Sequence, residues 1–186
     1  MPSTIKTIDS NCFFNCKSLE NISIPPSVTS FGDSSFSQCI SLKKIDIPFS
    51  VSKIGVSCFY DCSSLTHVNI PSSVVFIGSS AFQKCSSLKK VDLPNSLEEI
   101  EFSVFEDCTS LEQILIPNSV KSIGSSAFRG CSSLKQVLIP SSVKRIDKGS
   151  FRGCASLTSI KIPSSVTSLG SAVFSLCTSL TNIEIP

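Results

Sequence analysis

One segment, Phe-x-x-Cys-x-Ser-Leu-x-x-Ile-x-Ile-Pro, limits what this chain can fold into, because it recurs every 23 residues without insertion or deletion. It runs first from Phe13 to Pro25 and last from Phe174 to Pro186. Eight cysteines keep the count: Cys16, Cys39, Cys62, Cys85, Cys108, Cys131, Cys154 and Cys177. Self-similarity at such a period means that each unit is one supersecondary element unable to bury its apolar face alone. Units of that kind stack, and each touches only its neighbours.

Read by position, one unit is one coil. After Cys and a variable residue come Ser and Leu, as in Ser41-Leu42 and Ser110-Leu111. Two variable residues follow, then an apolar pair spaced by two: Ile22/Ile24, Ile45/Ile47, Val68/Ile70, Val91/Leu93, Ile114/Ile116, Val137/Ile139, Ile160/Ile162 and Ile183/Ile185. Alternation of β-branched residues predicts a strand with one buried face. Pro ends it each time, since a residue without an amide hydrogen cannot extend a ladder. Each coil is therefore expected to give one short strand, stacked in parallel on the last. A serine row at the turn (Ser27, Ser50, Ser73, Ser96, Ser119, Ser142 and Ser165) can bond the backbone of its own or the next coil. The closing stretch, Ser-Ser-Ala-Phe-x-x-Cys, has apolar residues three apart, which predicts one turn of 3₁₀ or α-helix with the serines as N-cap.

The pattern Leu-x-x-Ile-x-Ile-Pro-x-Ser resembles the leucine-rich repeat. With the further Ile-Gly-x-x-Ala-Phe-x-x-Cys segment it resembles the BspA-like, Treponema pallidum type of that superfamily, over essentially the full chain. The resemblance implies a right-handed leucine-rich repeat solenoid of eight 23-residue repeats, mostly β, with a parallel concave sheet and short helical or 3₁₀ turns on the convex side. The chain reads as a single domain, 1–186, with 1–12 a partial N-terminal coil. For function the resemblance implies only binding to another macromolecule. Surface adhesion is one use of these repeats and intracellular scaffolding another.

Composition narrows the class further. The chain is 41% hydrophobic and 16% charged, a folding sequence and not a disordered one. A net charge of +2 is too small to argue for nucleic acid as partner. No apolar run reaches the length that spans a bilayer. The eight row cysteines lie three residues after a Phe and three before a Leu, the spacing of an interior row. Stacked in parallel they rarely offer the near-perpendicular torsion a disulfide needs, so reduced thiols are expected, and with them a cytoplasmic location, the cell surface being the alternative. Cys12/Cys16 and Cys58/Cys62 resemble half of a metal site, but the first of each pair fills a slot that elsewhere takes Ser35, Ala81 or Val104. Packing explains them better than zinc, and neither a metal nor another cofactor is expected. The single histidine, His67, sits at a variable strand position and makes no catalytic arrangement convincing, so no enzyme is expected.

What varies between the fixed rows is where a partner is expected to bind. Lys43, Lys44, Asp46, His67, Lys89, Lys90, Asp92, Glu112, Leu115 and Leu138 flank the inward apolar pairs and are expected to line the concave face. Leu115 and Leu138 stand on adjacent coils at positions otherwise polar, the mark of a modest protein-binding patch. Self-association, as a homodimer, is a second expectation, through apolar turn residues (Phe49, Val75, Phe76) or through ends without caps (Ile5, Ile8 and Ile183, Ile185). Missing caps also fit a fragment of a longer protein. The partner is a protein whose identity the residues do not name.

Overall fold

A computed structural model describes residues 4–186. The chain winds as a solenoid in which each full coil carries two short strands, where the alternation pattern announced one. The first row is β1 (Thr7–Ile8), β3 (Ser30–Phe31), β5 (Lys53–Ile54), β7 (Phe76–Ile77), β9 (Glu99–Ile100), β11 (Ser122–Ile123), β13 (Arg145–Ile146) and β15 (Ser168–Leu169). The second is β2 (Asn21–Ile22), β4 (Lys44–Asp46), β6 (His67–Asn69), β8 (Lys90–Asp92), β10 (Gln113–Leu115), β12 (Gln136–Leu138), β14 (Ser159–Lys161) and β16 (Asn182–Glu184). Strands β2 to β12 of the second row form one parallel six-stranded sheet, and β14 pairs with β16 beyond it. The first row divides into two parallel four-stranded sheets.

The extra row follows from backbone spacing. The Gly55 amide donates to the Phe31 carbonyl of the preceding coil at 2.9 Å, and Gly78 donates to Ile54 in the same way. A Cβ on Gly55 would come within 2.6 Å of the Gly32 and Asp33 backbone, which is why glycine recurs there.

The closing stretch is not a helix. Ser34 and Gln38 both take positive φ, at 54° and 61°, and such residues interrupt a right-handed helix. The same pair of left-handed positions, four residues apart, returns in every full coil, as at Ser80/Lys84 and Gly149/Gly153. Amides then alternate in direction. Those of Ser34, Phe36 and Gln38 donate forward to carbonyls of Val56, Cys58 and Tyr60 at 2.7–2.9 Å. Those of Ser35, Ser37 and Cys39 donate three residues back within the coil, at 3.1–3.3 Å. The i→i−3 bonds of a 3₁₀ turn survive, but no helix forms, so the serine pair caps nothing. Five of the seven turn serines bond the preceding coil and not their own or the next, as when Ser50 Oγ donates to Val28 O at 2.5 Å and Ser73 Oγ to Val51 O at 2.7 Å, whereas the buried hydroxyls of Ser119 and Ser142 have no partner among the described residues.

Inside, the coils meet through rows of like residues. Phe36, Phe59, Phe82, Phe105, Phe128 and Phe151 are fully buried, and from Phe13 to Phe174 successive rings stack 5.1–6.0 Å apart at 7–13°. Offset stacking adds about 0.5–1.5 kcal/mol per pair to the burial. Beside the rings, Cys62, Cys85, Cys108 and Cys131 each donate a thiol hydrogen to a Phe carbonyl of the preceding coil, at 3.1–3.2 Å. Phe105→Ala empties a site closed on both sides by Phe82 and Phe128, each 5.6 Å away. It is expected to lower the unfolding free energy by about 3–5 kcal/mol in a urea titration, and a loss below about 1 kcal/mol would mean that the row is not the core.

Candidate functional site

The second strand row turns its variable residues to solvent because alternate side chains of a strand point to opposite faces. In β4, β6, β10, β12 and β14 the middle residue is buried and its two neighbours are exposed. Parallel pairing then sets these neighbours in columns, one residue per coil. One column runs Lys44, His67, Lys90, Gln113, Gln136 and another Asp46, Asn69, Asp92, Leu115, Leu138. Lys43, Lys89 and Glu112 precede the first column by one residue. Seven of the ten residues singled out from the sequence (Lys44, Asp46, His67, Lys90, Asp92, Leu115 and Leu138) thus stand on the outward side of these strands, and Lys43, Lys89 and Glu112 stand at their margin; each is exposed except Asp92, which is half-buried.

Charges on this face cancel locally. Lys43 meets Glu20 at 2.8 Å, Lys44 meets Asp46 at 2.9 Å, Lys90 meets Asp92 at 3.0 Å, and Lys135 and Lys161 meet Glu112 and Glu184 at 3.2 Å. Exposed pairs of this kind contribute about 0–1 kcal/mol each, so a partner can open them at little cost. Lys89 is the exception: among the described residues no carboxylate reaches it.

The apolar break in the charged columns is Leu115 beside Leu138, 67% and 69% exposed. Two shallow depressions border them. One, of about 570 Å³, extends over four coils from Lys90 and Asp92 past Gln113 and Gln136 to Lys161. The other, of about 450 Å³, is walled by Pro117, Pro140 and Pro163 at the strand ends. Read as strand terminators, these prolines gave no sign of a second role. Their row continues the Leu column two residues on, and that was the available signal.

The remaining chemistry is structural. Cys39, Cys58, Cys62, Cys85, Cys108, Cys131 and Cys154 are fully buried and Cys177 nearly so, whereas Cys12 and Cys16 are exposed. Cys16 departs from the expected interior row because no described coil lies beneath it. Burial pushes the thiol of Cys39 up to about 11 and that of Cys58 up to about 12, the latter despite its contact with Ser35 Oγ at 3.2 Å. Thiols held protonated and inside are poor nucleophiles and poor metal ligands. His67 is exposed on β6. Among the described residues no group of three or more His, Cys, Asp or Glu side chains could hold a metal, and no helix is long and apolar enough to cross a membrane.

Away from this face, Phe49, Val75 and Phe76 are 77%, 61% and 37% exposed, and Lys53 Nζ lies 5.6 Å from the Phe76 ring. Of the end residues named from the sequence, Ile183 and Ile185 are exposed and Ile5 is partly buried. Ile8 is buried and so is not available to a partner, because β3 covers it through the pairing of Ile8 with Phe31. The acidic and basic stretches interlock between coils, Lys121 with Glu98, Arg129 with Glu106 and Arg145 with Glu99, and Arg145 also meets Asp147 within its own coil.

A family model described as a BspA type leucine rich repeat region matches residues 1–112 and 98–186. Similar solved structures include a leucine-rich repeat protein from Bacteroides ovatus, 37% identical with a TM-score of 0.89, in which the chain is covered over 98% of its length and the other protein over 47%. A leucine-rich repeat protein from Eubacterium ventriosum is 27% identical with a TM-score of 0.82, over 92% of this chain and 46% of that one. The leucine-rich repeat protein of T. pallidum is 32% identical with a TM-score of 0.64, over 97% and 76%. The chain thus spans about half the length of the first two. No curated protein matches it.

The thiol row makes stability sensitive to alkali. A group whose folded pKa is raised gives stability that is complete below its unfolded value, about 8.5 for Cys, and is lost as pH climbs toward the folded value. The unfolding free energy is therefore expected to be flat from neutrality to about pH 8 and to fall between pH 9 and 11, each buried row thiol from Cys39 onward costing up to about 1.4 kcal/mol per pH unit. Denaturant titrations across that range check it. A maleimide at pH 7 is expected to label Cys12 and Cys16 in the folded protein and the rest only after unfolding, as read by mass spectrometry.

Proposed function

This chain belongs to the BspA-type leucine-rich repeat family, and on that premise we propose that it is a non-catalytic protein-binding module, an intracellular scaffold or regulatory binding protein, that uses the open face of its principal sheet. The observation that carries the reading is the Leu115/Leu138 pair. Two large apolar side chains two-thirds exposed on adjacent strands have no role in the core, which is complete beneath them at Ile114 and Val137. Solenoids bind on such extended sheet faces, and interface centres are apolar within a polar rim. Lys89, Lys90, Asp92 and Glu112 supply that rim. Burial of the row thiols from Cys39 to Cys177 supports a role without chemistry, because a Cys nucleophile must reach solvent as thiolate.

Adhesion at a cell surface, as part of a longer protein binding host or matrix proteins, is the second reading. It draws on the same face and on the family, some of whose members are surface proteins. Fractionation of cells expressing the native protein separates the two.

The double variant Leu115→Glu/Leu138→Glu changes only exposed side chains, so its unfolding free energy should stay within the small range of surface substitutions, about 0.5 kcal/mol for each. Affinity capture of native partners is expected to fall at least about ten-fold, since centrally placed residues dominate binding energy. Capture unchanged in every partner would move the site off this face.

A further inference from the structure

We propose that the face between β8 and β14 receives one amphipathic α-helix of a partner protein, laid along the solenoid axis with two apolar side chains on Leu115 and Leu138 and a carboxylate at Lys89. This rests on the reading of the sheet face as the binding surface and adds what kind of segment fits it.

Pitch is the first argument. Paired strands lie about 4.8 Å apart, so the four coils that line the larger depression, from Asp92 to Lys161, span about 14 Å in three steps. A helix rises about 1.5 Å per residue, so its residues i, i+3, i+7 and i+10 share one stripe and cover about 15 Å. Each coil then meets one side chain. An extended segment crossing the strands repeats a given face only every two residues, or about 6.6 Å, and drifts out of step with the coils within three of them.

Charge is the second argument. Among the described residues the face carries five internal ion pairs, and Lys89 alone among its charged residues is left without one. It stands one coil before Leu115, on the opposite margin of the strand row from the Leu column. A helix resting over Gln113 and Gln136 has the leucines on one flank and Lys89 on the other. A ligand that fills the apolar side and leaves Lys89 solvated would forgo the one unmatched charge of the site. The fitting sequence therefore has two apolar residues three or four apart, with Asp or Glu nearer the β8 end and on the far edge of the stripe.

The test uses two display libraries selected on the full chain, one of stabilised helical peptides and one of extended, proline-containing peptides, with the same randomised residue types. The helical library is expected to enrich sequences with that apolar pair and an acidic residue. Binding of those sequences should weaken at least ten-fold on Leu115→Glu/Leu138→Glu. On Lys89→Glu they should weaken likewise and recover when their acidic residue is changed to Lys. Enrichment of extended peptides alone, still sensitive to the leucine variant, would overturn the helix while keeping the face. Binders insensitive to both variants would overturn the face as well. Helical binders that lose nothing on Lys89→Glu, or no enrichment from either library, would also overturn the proposal.

Discussion

Coil-to-coil hydrogen bonding is the constraint on which everything else in this molecule depends. At the entry to the principal sheet the amides point back: Lys43 N donates to Glu20 O at 3.1 Å and Lys89 N to Thr66 O at 3.1 Å. On the opposite side the amides of Ser34, Phe36 and Gln38 point forward. A coil is thus tied to both of its neighbours, and each ladder needs the same residue count in every coil. One inserted residue would turn an outward side chain inward along a strand and break the forward ladder at once. That is the physical reason for a 23-residue period without exceptions. Phenylalanine stacking and the thiol row follow from this register, because identical residues can stack only when the backbone repeats.

Long rows were legible because they repeat the same side chain in the same slot. Phe, Cys, Leu and the Ile pair announced the interior, and variable positions beside that pair announced the exposed face. Two features were hidden. Strands such as Lys53–Ile54 have two residues, too few to show a period of two. The left-handed turns were masked by ordinary side chains, since Ser34, Gln38, Ser57 and Asp61 all hold positive φ. Such residues rarely adopt it, so propensity argued for a helical turn. The hint lay in two late coils, where Gly130, Gly149 and Gly153 occupy the equivalent slots, all with positive φ. Three glycines at matched positions point to a backbone requirement that the other coils meet with side chains attached.

The same regularity explains why the site was only partly readable. Exposure of Leu115 and Leu138 follows from strand alternation, and their adjacency from the period. Local cancellation of charge does not, because it depends on which long side chain reaches which neighbour. Lys90 pairs within its own strand with Asp92, whereas Lys135 pairs across coils with Glu112. Only the folded arrangement reveals Lys89 as the charge left over.

A repeat of this kind separates stability from recognition more cleanly than most folds. Interior rows must stay alike for coils to stack, so a ligand cannot be specified there without breaking the ladder. Outward columns carry no such demand, and a difference at one coil leaves its neighbours untouched. A column of identical outward residues would bind a ligand equally well in any register. Specificity therefore enters where a column changes character, and the second column has one apolar stretch, Leu115 and Leu138, between Asp46, Asn69 and Asp92 on one side and Lys161 on the other. On the reading proposed for this face, that stretch sets both where along the solenoid a partner rests and which of its ends faces β8.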